Sequence, residues 1–179
     1  MPTSRAGTSS NRLNSPAGFT LMELLVVIAL LAVAAGIVLP RLTVSSSMEL
    51  NRSARQLAAA IRYVQDRAIT GKTPHRLRME PGTGIIRITR LQDDGSEGEP
   101  GESFLERPLL AEGVTVTDVI TPGRGKTETG EAVLRFDMAG LGDFTVIHLK
   151  GEDEDDAMTI MAYPSGKVTV SEGYQEEPL

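Results

Sequence analysis

One carboxylate stands in a segment otherwise suited to lipid: Gly18-Phe19-Thr20-Leu21-Met22-Glu23 opens an apolar run that lasts to Leu39. At the centre of a bilayer an acidic side chain costs roughly 2.5–3.5 kcal/mol on insertion scales, so it survives by pairing. The run holds no lysine or arginine, and the partner expected for Glu23 is a newly made α-amino group. Other residues with chemical potential are few. His75 and His148 are the two histidines, cysteine is absent, and neither a Gly-rich phosphate loop nor an HExxH spacing occurs. Ser165 lies in Pro164-Ser165-Gly166, lacks the glycine two residues earlier that a nucleophile elbow requires, and reads as a turn. His148 falls in a strand pattern and reads as structural. The acidic run Glu152-Asp153-Glu154-Asp155-Asp156 suggests calcium, which takes several oxygen ligands. Consecutive extended residues point to opposite sides, however, and no EF-hand spacing is present, so the run reads as a solvated hairpin tip. No catalytic residue, metal site or cofactor is expected.

The elements that position Glu23 follow from periodicity. Phe19 to Leu39 meets the requirement of about 20 apolar residues for a membrane span. A secretory signal cut near Ala32-Val33-Ala34 is a competing reading, but such an h-region spans roughly 7–15 residues and has no use for Glu23. A plain single-span anchor is another, and it leaves the Gly/Phe/Glu spacing unexplained. Gly36 and Pro40 interrupt the helix at the junction, where a proline removes a backbone donor and predicts a kink or loosened turn. Beyond it, Leu50, Ala54, Leu57, Ile61, Val64 and Ala68 recur at steps of four and three, a helical stripe with Arg52, Arg55, Arg62, Asp66 and Arg67 mostly between. Gly71 and Pro74 end the helix.

From His75 the signals are those of strands. His75–Glu80 and Ile85–Leu91 flank Pro81-Gly82-Thr83-Gly84 and read as a hairpin. Further strands are expected at Gly113–Val119, Val133–Phe136, Phe144–Leu149, Met158–Tyr163 and Val168–Val170. The stretches 92–103 and 121–131 mix Gly, Ser, Thr, Pro and acid without apolar periodicity and read as mobile loops. The expectation is an α+β chain: a long N-terminal helix, its first half in the membrane, packed on a mostly antiparallel β head. With three tyrosines, four phenylalanines and no cysteine, the head must stand on aliphatic packing alone.

Charge is uneven. Residues 41–90 hold ten basic and three acidic side chains, whereas residues 91–179 hold six and twenty. A basic membrane-proximal segment can meet anionic headgroups or acidic neighbours, and an acidic distal surface repels nucleic-acid phosphates.

The spacing of Gly18, Phe19-Thr20-Leu21 and Glu23 resembles the class III signal of type IV pilins and type II secretion pseudopilins. That resemblance implies a prepilin peptidase cutting between Gly18 and Phe19 and methylating the Phe19 amine, with Glu23 pairing that amine during assembly. Residues 1–18 are then a discarded leader, 19–42 a transmembrane and assembly helix, 43–72 its amphipathic continuation and 73–179 a periplasmic head. Arg135-Phe136-Asp137-Met138-Ala139-Gly140 and Tyr163-Pro164-Ser165-Gly166-Lys167-Val168 are similar to the closing motifs of the H-type minor pseudopilin. A type IV pilin-like fold is therefore implied, with a helix able to melt at Gly36 and Pro40 on filament packing. The implied role is that of a non-catalytic structural subunit of a type II secretion pseudopilus, held in the bacterial inner membrane and exporting folded proteins. Its implied partners are other major and minor pseudopilins, the prepilin peptidase and the inner-membrane secretion platform, with no cofactor and no nucleic acid. The alternative is a FimT-type minor pilin for DNA uptake or pilus assembly, which presents basic residues near its C-terminus. Here Gly166-Lys167-Val168-Thr169-Val170-Ser171-Glu172 carries one lysine, and electrostatic affinity for DNA scales with the phosphates neutralised.

Overall fold

The computed structural model describes residues 19–153 and 155–176, with the side chains of residues 35–46 excepted. Among these residues helix α1 (Leu21–Gly71) comes first, and ten strands follow. Two compact units divide at residues 39 and 40. In the first, the side chains from Leu21 to Val33 are exposed and, apart from Glu23, apolar. Among the described residues no helix is long and apolar enough to cross a membrane. The apolar run read from the sequence continues past residue 34 into side chains outside the described residues, as do Gly36 and Pro40.

In the second unit the predicted stripe is the buried face of α1: Leu50, Ala54, Leu57, Ile61, Val64 and Ala68 are all buried, while Arg52, Arg55, Arg62 and Asp66 are exposed. The helix stops at Gly71, and Lys72 takes a left-handed φ of 49°, the conformation that ends many helices and that few non-glycine residues adopt.

The first sheet has the order β3-β2-β1-β6-β7, from β1 (His75–Met79), β2 (Ile86–Leu91), β3 (Glu97–Gly98), β6 (Ala132–Asp137) and β7 (Gly140–Leu141). The second has the order β10-β9-β8-β4-β5, from β4 (Thr115–Thr121), β5 (Gly125–Thr127), β8 (Thr145–Lys150), β9 (Ala157–Ala162) and β10 (Val168–Glu172). All pairings are antiparallel. The predicted β1–β2 hairpin forms, and its turn ties the sheets together. Gly82 N–H donates to the Val116 carbonyl at 2.7 Å, and Val116 N–H to that of Thr83 at 2.9 Å.

One core joins the helix stripe to the inward residues of both sheets, among them Leu77, Leu134 and Phe136 on one and Ile147, Leu149 and Ile160 on the other. It is aliphatic apart from Phe136. The two stretches read as patternless loops each contain a short strand, β3 and β5. Short strands of two or three residues leave too few positions for an alternation to show. The first stretch is also held to α1, because Glu102 Oε1 accepts hydrogen bonds from Arg67 Nε at 2.9 Å and Tyr63 OH at 3.3 Å.

Candidate functional site

Thr20 starts α1 as its N-cap. Its hydroxyl accepts from Glu23 N–H at 3.2 Å, and its carbonyl accepts from Leu24 N–H at 3.1 Å. Thr20 and Glu23 thus have the spacing of a capping box, and the carboxylate sits in the first turn, where the positive end of the helix favours an anion. Sequence reading singled out Glu23 as an expensive charge in lipid. Its place at the helix start adds a second reason for tolerance: the orphan N–H groups there are donors in need of acceptors. Phe19, just ahead, is 84% exposed. Gly18 lies outside the described residues.

Downstream, Leu21, Met22, Leu24, Leu25, Ile28 and Leu30 are each more than half exposed. They lie all round the helix and not on one stripe, the pattern of a rod that is covered on every side by lipid or other helices.

In the head, the two stretches singled out toward the C-terminus converge on one side chain of α1. Gln65 is buried, and its Nε2 donates to the Pro164 carbonyl at 3.0 Å. A Cβ at Gly140 (φ +108°) would stand 2.9 Å from that nitrogen, and one at Gly166 (φ +90°) 3.5 Å away. Both glycines therefore serve turns that wrap Gln65. Ser165 lies in the β9–β10 turn, closed by Gly166 N–H on the Tyr163 carbonyl at 2.9 Å, as its sequence context suggested.

His148 has a partner that the sequence did not reveal. Its Nδ1 lies 2.7 Å from Asp118 Oδ1 and its Nε2 2.9 Å from the Gln175 carbonyl. Both ring nitrogens thus face oxygen atoms, one of a carboxylate and one of a backbone carbonyl. Tyr174 stacks on the imidazole at 3.7 Å, and its hydroxyl donates to Asp118 Oδ2 at 3.0 Å. Burial, helped by the hydrogen bond to Asp118 and opposed by Lys126, pushes that hydroxyl above its ordinary range. Lys126, 3.9 Å from Asp118 Oδ2, is held above its usual value by the Tyr174 hydroxyl and then Glu128.

An Asp–His pair suggests a general base, yet Nε2, the atom that would take a proton, faces a backbone carbonyl, and His148 is fully buried. What the pair orients is the C-terminal segment. Gly173 N–H donates to the Ala157 carbonyl at 2.8 Å, Thr159 Oγ1 to that of Gly173 at 2.6 Å, and Gln175 N–H to Thr159 Oγ1 at 3.0 Å. The cluster is a latch on the outer face of the second sheet.

The acidic run lies in the β8–β9 connection, closed by Gly151 N–H on the Asp156 carbonyl at 3.1 Å, with Glu154 outside the described residues. Among the described residues, no group of His, Asp and Glu is arranged to hold a metal ion.

Residues 13–39 match the family described as the prokaryotic N-terminal methylation motif. No curated protein is similar enough to match. Two structures of the minor pseudopilin EpsH from the Type 2 Secretion System of Vibrio cholerae are similar to the chain. One has a TM-score of 0.58 at 14% identity, covering 73% of this chain and 99% of the other. The second has a TM-score of 0.54 at 16% identity, covering 69% and 97%. The type IV minor pilin FimU of Pseudomonas aeruginosa aligns with a TM-score of 0.46 at 16% identity, over 69% and 88%. The chain therefore joins a prepilin-type N-terminus to a head with the fold of a minor pseudopilin.

Proposed function

We propose that this protein is an H-type minor pseudopilin, a non-catalytic structural subunit of a type II secretion pseudopilus that helps export folded proteins across the outer membrane. The observation that carries the reading is the start of α1, where an all-round apolar helix with one carboxylate in its first turn falls inside a methylation motif. A prepilin peptidase removes residues 1–18 by cutting between Gly18 and Phe19, and the Phe19 amine is methylated. Residues 19–42 hold the subunit in the bacterial inner membrane, residues 43–72 continue the helix, and residues 73–179 form the periplasmic head. Gly36 and Pro40 supply a segment that loosens as subunits pack. Other major and minor pseudopilins and the inner-membrane secretion platform are its partners, with no cofactor and no nucleic acid.

Glu23 is the assembly residue. In a low-dielectric surround its carboxylate attracts the Phe19 amine far more strongly than it would in water, and that pairing sets the axial register between subunits. The Glu23→Val variant is expected to insert and be cleaved normally while its co-purification with partner pseudopilins drops by about tenfold or more, equivalent to ~1.4 kcal/mol. Pull-down from membranes of a secreting strain measures this, and undiminished co-purification overturns the assignment. The FimT-type alternative predicts tight, salt-sensitive capture of DNA by the protein. Against it stands the distal acidity of the chain and the single lysine near its end, Lys167, whose ammonium lies over the Tyr163 ring at 5.6 Å.

A further inference from the structure

The outer face of the first sheet collects arginines that the reading above leaves unused. On β1, His75, Leu77 and Met79 are buried inward, so Arg76 and Arg78 point out. Pairing sets Arg76 between Thr89 of β2 and Arg135 of β6, and Arg78 between Arg87 of β2 and Val133 of β6. Residues directly opposite in an antiparallel pair share a face. Four guanidiniums therefore stand in two adjacent rows.

The face already binds carboxylates. Glu97, reaching over from β3, accepts from Arg76 at 2.5 Å, from Arg78 at 2.6 Å and from Thr89 Oγ1 at 2.8 Å. Glu131 accepts from the other arm of Arg78 at 2.6 Å. The Glu97 carboxyl is accordingly drawn down to about 2, by hydrogen bonds from Arg78 first and Thr89 next. Asp137, on the same side of β6, is occupied with Ala139 N–H at 2.7 Å. Arg87 and Arg135, at the two flanks, are exposed and have no carboxylate partner among the described residues.

We propose that this face docks an acidic polypeptide segment presented by a neighbouring filament subunit, with Arg87 and Arg135 taking its carboxylates as Arg76 and Arg78 take Glu97. The inference rests on the filament reading and names one of its contacts. A guanidinium presents a planar fork of donors that matches a carboxylate in two-point contact. An extended segment carrying acids at alternate positions places them on one side, as the rows require. A nucleic acid fits less well. Glu97 and Glu131 already occupy Arg76 and Arg78, which leaves too few open cations for the several phosphates over which electrostatic nucleic-acid affinity builds.

The test uses the full chain in detergent micelles and a short fluorescein-labelled peptide of alternating Asp and Thr, followed by fluorescence anisotropy. Binding is expected for this peptide and not for its Lys/Thr counterpart, and it should weaken as salt rises. The double variant Arg87→Glu, Arg135→Glu should lose about tenfold or more in affinity, and Arg87→Ala, Arg135→Ala a smaller factor. The latter keeps the test open should charge reversal impair folding, which circular dichroism reports. Arg52→Glu with Arg55→Glu, on the exposed side of α1, should bind normally. Absence of binding by the unaltered chain, or binding indifferent to both Arg87/Arg135 variants, overturns the proposal. So does preferential capture of a short DNA duplex that these variants abolish. Leader removal, read by mass spectrometry on protein from the secreting strain, is independent of this face. Lost peptide binding with the leader removed overturns this inference alone, whereas an intact leader overturns the reading beneath it.

Discussion

The two sheets of the head bury the same kind of face inward and treat their outer faces in opposite ways. On the second sheet, a polar row runs across four strands as Asp118, His148, Thr159 and Ser171, and the C-terminal segment closes over it until Asp118 and His148 are 1% and 0% exposed. On the first sheet, charged rows of comparable density stay at the surface. The difference teaches which charges belong to stability and which are available to a partner. A desolvated polar pair cannot lose one member without stranding the other. An exposed pair is screened by water and contributes little to folding.

Breaking the buried pair should give the largest effect. Asp118→Ala leaves His148 and the Tyr174 hydroxyl without their acceptor and should cost about 3–5 kcal/mol in chemical denaturation of the solubilised protein. If it costs no more than Arg135→Ala, the distinction between the two faces fails.

The seam beneath both faces gives an intermediate effect. Gly140→Ala forces a side chain onto a left-handed backbone and toward Gln65 Nε2. It should cost about 1–3 kcal/mol, read from the shift in denaturation midpoint at unchanged slope. Wild-type stability in that variant would show that the two turns do not depend on Gln65.

The exposed face should yield the smallest change, visible as a pH window. The carboxyl of Glu97 is depressed from 4.5 to about 2 in the folded chain, so its contribution is present above the unfolded value and is lost as pH falls from 4.5 toward about 2. Glu97→Gln should flatten the stability profile across that window and leave it unchanged near neutrality in shape. An identical acid limb in both proteins would show that the Arg76–Glu97–Arg78 contacts do not bear on folding.

Much of the fold was legible along the chain. The stripe from Leu50 to Ala68 is a 3.6-residue period sustained over five turns, long enough to be unambiguous, and each predicted strand lies within two residues of an observed one. Less legible were interactions made by long-range pairing. Nothing near Glu102 in sequence points to Tyr63 or Arg67, so a segment read as a patternless loop proved to be held against α1. Arg76, Arg78 and Arg87 register as part of the basic excess of residues 41–90 and Arg135 lies in the acidic stretch that follows, so their convergence needs the β2-β1-β6 order.

Asp118 shows the limit most sharply. Val116, Asp118 and Ile120 alternate as if they shared one face, which would aim the carboxylate into the core with Val116. The pairing with β8 slips between Val116 and Asp118, and the extra residue, Thr117, reverses the sides of all that follow. Val119 then joins the core while Asp118 turns outward onto His148. A one-residue bulge has this power because side-chain direction in a strand repeats every two residues.

The chain's own order of residues thus determined whatever depends on neighbours a few positions apart: the capped helix start with its lone acid, the apolar run, the amphipathic continuation and the strand-rich head. Tertiary structure alone decided which charges are buried against one another and which remain open to a partner, because that choice depends on strand order, register and a single bulge. Those are set by packing between segments whose separation in sequence carries no local trace.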